Sequence, residues 1–342
     1  MRKVTEIAGP LAVVGLVAIL GSFGSPARAF EFVDALVAVS FVVALYVFVG
    51  NSGVLSFGQT SFIAVGAFAA GVMSAPVDSK AGQLPDLFPL LRDHSIGNVP
   101  SLLLATAIGG FYALLVGMPL MRLSGLAAGI ATFAVLGITH NVLRYWTEIG
   151  PGAGTLASVP ESTGLLQAAV GAMIIIVAAF VYQSSRLGRV LRASREDAAA
   201  AQAVGIDVHR QRLWAFGLSG ALCGLAGGLF VHETGTLTTE QVYLDLTFLT
   251  LAMLVIGGAY SLWGAVVGAL IVSGFNSFLG DAENGIHFGV TFHAPTGTRV
   301  IALGAVMTLT LLLRPTGLTR GREFSLAWLG RRRSRQPGGK ST

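Results

Sequence analysis

Apolar residues along this chain are gathered into long runs, and the polar positions fall in the intervals between them. A bilayer core about 30 Å thick needs roughly 20 apolar residues per helix. On that measure ten segments predict membrane spans, near 8–24, 31–50, 57–75, 100–121, 125–143, 164–184, 213–232, 244–259, 261–280 and 298–313. The third, fifth and eighth are short or interrupted by glycine, the pattern of a broken or re-entrant helix shielded by its neighbours. The expected fold is all-α, a polytopic membrane protein of about ten transmembrane or partly broken helices. Residues 1–317 form the membrane domain, and 318–342 form a basic, disordered tail that reaches lipid headgroups.

Composition excludes the soluble and disordered classes. The 342 residues are 53% hydrophobic and only 11% charged, against about a quarter charged in a soluble domain, and mean hydropathy is +0.73. Forty-five glycines suit helices that approach closely in lipid. The lone Cys223 rules out an intrachain disulfide and a thiolate metal cluster. The net charge of +5 does not imply nucleic acid, because the basic residues lie in short loops and not on one soluble face. They set topology instead: with both termini inside, 17 of the 22 Lys and Arg are cytoplasmic, and only Arg28, Lys80, Arg92, Arg144 and Arg299 lie outside. An alternative for the start is a cleaved secretory signal, since Arg2-Lys3, the run 11–20 and Ala27-Arg28-Ala29 carry that pattern. Cleavage would leave nine spans.

The longest polar interval between firm spans is 185–212. Ser194 and Asp197 have the S-x-x-D spacing of a capping box, residues 198–201 and Ala203 are all alanine, and Gly205 supplies a left-handed stop. The predicted element is one helix of about ten residues, about 15 Å long. Arg195, Glu196 and Asp197 stand at one end and small residues run along it, which suits docking into a partner's cleft; the residues alone fit a solvated connector helix equally well.

This loop, Arg186-Leu187-Gly188-Arg189-Val190-Leu191-Arg192-Ala193-Ser194-Arg195-Glu196-Asp197 followed by Ala200-Ala201 and Gly205-Ile206-Asp207, resembles that of the LivM family of branched-chain amino acid ABC permeases. Four further stretches match in order: 51–59 with Phe62 and Gly66-Ala67-Phe68; Arg122-Leu123-Ser124-Gly125 with Ile130-Ala131-Thr132; Val255-Ile256-Gly257-Gly258 with Ser261-Leu262-Trp263-Gly264; and Arg314-Pro315-Thr316-Gly317-Leu318. The resemblance implies that 185–212 docks on an ATPase through Arg195, Glu196, Asp197, Ala200, Ala201 and Gly205. It also implies two cytoplasmic ATPase subunits, a homologous permease and an outer substrate-binding protein as partners, in a bacterial inner membrane. The chain departs from the family pattern at Ala198 and Gln202, where relatives carry Glu, at Ala265, where they carry Pro, and at 150–154, where they have a TGG-type loop.

Other candidate chemistry is sparse. The terminal Gly338-Gly339-Lys340-Ser341-Thr342 imitates a P-loop, but the first glycine of that motif would fall at Ser334 and no helix follows, so no cofactor is expected on this chain and ATP belongs to partner subunits. Gly220, Gly224 and Gly228 recur every fourth residue and predict close helix packing, within the chain or between subunits. Gln59, Thr60, Ser61 and Thr132 are polar groups at mid-span or at helix breaks that could hydrogen-bond an amino acid in transit; satisfying broken backbone is the alternative. Glu31, Asp34, His140, Asn141, His232 and Glu233 lie near span ends and read as interfacial. With no charge at mid-membrane, a proton-coupled carrier is disfavoured. The signatures of metallopeptidase, thiol redox and serine hydrolase sites are absent. His287 and His293 near Asp281 and Glu283 form a weak metal pattern, read as an outer loop with no metal. The expected function is import of branched-chain or related amino acids; urea or short amides through the same machinery, an ion-gradient carrier and a membrane enzyme are the rivals.

Overall fold

The computed structural model describes residues 2–284, 286–287, 291–292, 295, 297–314, 317–319, 321 and 323. The tail from 324 onward, with its basic cluster and its P-loop mimic, and His293 lie outside the described residues.

Each of the ten predicted spans corresponds to a helix: α1 (Arg2–Ser22), α2 (Pro26–Ser52), α3 (Gln59–Ser74), then, after short α4 (Val77–Gln83) and α5 (Pro89–Arg92), α6 (Asn98–Leu120), α7 (Gly125–Tyr145) and α8 (Leu165–Ser184). The polar interval holds α9 (Arg186–Glu196) and α10 (Ala198–Ala203); α11 (Val208–Thr234), α12 (Leu244–Gly257), α13 (Leu262–Asn284) and α14 (Thr298–Leu313) follow. Between α13 and α14, β1 (Ile286–His287) and β2 (Thr291–Phe292) form a minimal antiparallel pair.

Among the described residues six helices are long and apolar enough to cross a membrane. Helix α3 is not one of them; it continues into α4 through a bend of 114°, and α12 has only 14 residues. The fifth predicted segment is α7, an uninterrupted helix of 21 residues, since Gly137 faces open space and needs no break to fit.

Helix α11 runs through the centre, packed on α6, α3 and α2. The contact is made backbone to backbone. A Cβ on Gly66 would stand 2.5 Å from the Gly224 Cα, and one on Gly109 would stand 2.7 Å from the Gly220 carbonyl. One on Gly224 would strike the Ala105 carbonyl. The stripe Gly220, Gly224 and Gly228 therefore packs against α6 and α3 of this same chain. Where α11 leaves the stripe, Phe216 packs edge-on against Phe48 and Phe62, with centroids 4.9 and 5.2 Å apart.

The bundle has a basic end, carrying α9, α10 and the break between α12 and α13, and an opposite end carrying α4, α5 and the hairpin. Lys80, counted above as an outer loop charge, is buried at the opposite end. Its Nζ donates to the carbonyls of Leu91 (2.9 Å) and His94 (2.6 Å), pinning the loop before α6. Burial pulls its ammonium below the ordinary lysine range.

His232 and Glu233 are not solvated, as their place near a span end implied. His232 is fully buried, with Nε2 2.8 Å from Ser101 Oγ and Nδ1 3.0 Å from the Pro160 carbonyl. Glu233 is 7% exposed. The segment 156–163 folds over the end of α11, bridging Leu156 to Leu237 and covering both side chains, while the Glu233 carboxylate has no hydrogen-bond partner among the described residues.

Candidate functional site

The polar interval forms two helices, not the single helix expected from Ser194. Ser185 caps α9, its Oγ accepting from the Gly188 N–H at 3.2 Å, so the helix begins nine residues earlier. Ser194 then lies inside α9, where its hydroxyl donates to the Leu191 carbonyl. Asp197, expected as the third residue of the helix, is itself the cap of α10: it adopts extended backbone, and its Oδ1 accepts from the N–H groups of Ala199 and Ala200, both at 2.9 Å. Competition by an aspartate for local N–H groups is what divides the segment. Gly205 has φ 83°, and the Ile206 N–H returns to the Ala201 carbonyl, the left-handed ending expected of it. Ala201 is buried, whereas Glu196, Ala200 and Gln202 are exposed.

The arginines of α9 tie this excursion to the bundle. Arg189 and Arg192 donate to the carbonyls of Ser184 and Gln183, satisfying the last turn of α8. Arg195 reaches further. Its Nη1 donates to the Gly50 carbonyl at 2.9 Å, and its guanidinium lies 4.6 Å from the ring centroid of Tyr260, between α12 and α13. Glu196 Oε1 holds it from the solvent side at 2.8 Å. Gly53 caps α2 at φ 71°, and a Cβ there would stand 2.5 Å from Arg195 Cγ, so this glycine meets a conformational and a steric demand together.

The α12–α13 break is closed by chain that follows α14. Leu318 and Thr319 donate backbone N–H groups to the carbonyls of Ile256 and Gly257. The Glu323 carboxylate accepts from the N–H groups of Leu262 (3.0 Å) and Trp263 (3.2 Å), capping α13 from 61 residues away. Burial pushes this carboxyl above the ordinary range, against the opposing pull of those donors. Arg195 thus joins α9, the end of α2 and the α12–α13 break in one polar cluster.

A second site is the break between α2 and α3. Residues 53–58 turn back toward α7, where the Phe57 N–H donates to Thr132 Oγ1 at 3.2 Å. Gln59, Thr60 and Ser61 form the first turn of α3 and are 0–2% exposed. Both amide atoms of Gln59, Ser61 Oγ and Asn51 Oδ1 have no hydrogen-bond partner among the described residues. Each orphan left buried without a partner costs about 1–3 kcal/mol, so this break is a place where a partner from outside the chain's own side chains is called for. The start of α3 adds unpaired backbone N–H groups and partial positive charge. The sequence candidates Gln59, Thr60, Ser61 and Thr132 are therefore neighbours in the fold.

Between α3, α6 and α7 lies a cavity of about 860 Å³ with apolar walls including Phe68, Val72, Ile108 and Val142. Its polar lining is the Tyr112–Thr139 pair, hydrogen-bonded at 2.7 Å, and His94. Thr139 is two turns beyond Thr132 on the same face of α7, about 10 Å along the axis, so one helix face serves the cavity and the break. Sequence reasoning missed Arg195's reach, the Glu323 cap and buried Lys80. A lysine beside a loop signals nothing locally, and the other two depend on partners tens of residues away.

Residues 31–311 match the family described as "Branched-chain amino acid transport system / permease component". The LivM high-affinity branched-chain amino acid permease proteins of Salmonella typhimurium and Escherichia coli are each 25% identical over 311 residues, covering 81% of this chain and 66% of theirs. The chain thus spans just under two thirds of these relatives' length. A probable LivH permease of Methanocaldococcus jannaschii is 27% identical, covering 79% of this chain and 84% of its own. The autoinducer 2 import system permease protein LsrC of an Enterobacter species is 23% identical over 82% of this chain. With a match over most of its length and the broken-helix architecture above, the chain belongs to the branched-chain amino acid transport permease family, as a LivM-type member.

Proposed function

We propose that this chain is a transmembrane permease subunit of an ATP-driven importer for branched-chain or related amino acids. The basic end faces the cytoplasm, two ATPase subunits dock on α9 and α10, a second similar permease completes the path, and a binding protein delivers substrate at the opposite end. ATP is hydrolysed in those partners.

The observation that carries the reading is Arg195. An excursion of two short helices with exposed Glu196, Ala200 and Gln202 is tied through one guanidinium to the end of α2 and to Tyr260 at the α12–α13 break. A push on α10 therefore reaches α2 and the α12–α13 break through one side chain, which is what alternating access by rocking helices requires. The Glu196 carboxylate holds the guanidinium in place, and Gly205 ends the lever.

The apolar cavity at the opposite end favours an aliphatic side chain over urea or a short amide, and the orphaned amide of Gln59 with the first turn of α3 suits the carboxylate of an amino acid. The tagged chain, extracted from its native membrane in mild detergent, is expected to bring ATPase subunits and a second permease. Recovery of the chain alone or as a homo-oligomer moves the reading to a gradient-driven carrier.

A further inference from the structure

At the root of α9 a separate cavity of about 460 Å³ opens between α9 and the start of α11, walled by Arg186, Leu187, Asp207, Arg210, Gln211 and Trp214 among others. Arg186 and Arg210 are exposed, and neither has a side-chain hydrogen bond or ion pair among the described residues. Their neighbours Arg189, Arg192 and Arg195 are each bound to a backbone carbonyl. The wall has one acid, Asp207, whose Oδ1 caps α11 by accepting from the Arg210 N–H, against two arginines, so its net charge is positive. Gln211 Oε1 is buried there without a donor. Trp214 is half exposed at the second turn of α11, the depth at which an indole ring settles between headgroups and acyl chains.

The neighbouring helix supplies an apolar track. Val170, Ile174, Val177 and Val181 face outward along α8 and, with Met173 and Ala178, line a groove of about 480 Å³. Val181 lies in the last turn of α8, directly before α9, so the groove ends at the same end of the bundle as the basic cavity.

We infer that this cavity holds the headgroup phosphate of an anionic phospholipid from the leaflet at the basic end, with an acyl chain along the α8 groove. The two guanidinium groups flank the phosphate, and a glycerol hydroxyl supplies the donor that Gln211 lacks. Basic pockets between membrane helices on the cytoplasmic side are suited to such headgroups. The site lies at the root of α9; Gly205, which ends α10, borders it, whereas exposed Glu196, Ala200 and Gln202 are not in its wall. It rests on the membrane placement of the chain and not on ATPase coupling.

The test is native mass spectrometry of the full chain in mild detergent, with whatever subunits it retains, against phosphatidylglycerol and phosphatidylcholine of matched acyl chains. Phosphatidylglycerol is expected to be retained about tenfold better. The pair Arg186→Gln and Arg210→Gln is expected to abolish that preference while leaving the lipid-free thermal midpoint unchanged; the pair Arg28→Gln and Arg92→Gln at the opposite end is expected to leave the preference intact. Equal retention of the two lipids by the unaltered chain overturns the inference, as does full preference in the first pair. Inorganic phosphate alone raising the thermal midpoint as much as phosphatidylglycerol overturns the lipid as the source.

Discussion

Along residues 220–224 of α11 the helices meet at backbone distance, with Gly66 and Gly109 facing that stretch across the seam. At the basic end, by contrast, helices α2, α9 and α13 and the segment after α14 are held together by long side chains whose charges reach carbonyls, N–H groups and one aromatic ring. The first arrangement has no slack: a glycine seam has one geometry, and any added atom separates the helices. The second is made of a few directed bonds that can be broken and remade without unpacking the core. A rigid centre with a remakeable polar perimeter is the division expected of a machine that moves whole helices about a fixed body.

The largest effect expected from this contrast is in the seam. Gly224→Leu forces α11 off α6 and is expected to leave no monodisperse protein in mild detergent, a cost above about 3 kcal/mol. Gly137→Leu on α7, where the added side chain meets open space, is expected to be tolerated; equal recovery of the two variants would refute the seam as the rigid centre.

Next, Arg195→Ala removes a charge-assisted hydrogen bond and a cation–π contact and is expected to lower uptake about tenfold while ATP hydrolysis and assembly persist. Arg195→Lys keeps the charge but not the fork, and only partial recovery is expected. Uptake by Glu196→Ala or Gly205→Val at the normal level would likewise remove the coupling role from this segment.

A smaller effect, opposite in sign for stability and function, is expected at the α2–α3 break. Gln59→Leu removes two orphaned polar atoms and is expected to stabilise the chain by about 1 kcal/mol in thermal unfolding while uptake falls. If uptake is unchanged, Gln59 is not on the path.

At the opposite end, Lys80→Met leaves the carbonyls of Leu91 and His94 unpaired. Faster proteolysis within 84–97 is expected, with little change in the global thermal midpoint.

The smallest effect concerns Glu323. Because burial raises its carboxyl, the stability it contributes is full below the ordinary glutamate value of about 4.3 and is lost as pH rises through the raised value. Glu323→Gln is expected to flatten that slope in the thermal midpoint.

Much of the fold is legible in the sequence because the forces that set it are local. Apolar runs mark ten of the helices, three of them short or interrupted by glycine, and a four-residue glycine period marks the α11 seam. Polar residues beside glycine mark the α2–α3 break, although only packing against Thr132 reveals that Gln59 is left without a partner. Ser194 and Asp197 fit a capping box by spacing alone. The true start at Ser185 extends α9 past Ser194 and turns Asp197 into a cap of its own, a choice made by the carbonyls of α8 that Arg189 and Arg192 satisfy. His232 reads as interfacial until Ser101 and the Pro160 carbonyl, from distant parts of the chain, enclose it. Arg195 is 145 residues from Gly50, and no periodicity encodes that distance.

The most direct test of the account is whether α10 touches an ATPase. Gln202 is exposed on α10, Gln83 is exposed at the opposite end, and the chain's own Cys223 is buried, so Gln202→Cys and Gln83→Cys can each be cross-linked in native membranes with a short thiol-to-amine reagent. The account predicts a covalent adduct with an ATPase subunit from Gln202→Cys and none from Gln83→Cys. No such adduct from Gln202→Cys, or an equal one from Gln83→Cys, would contradict it.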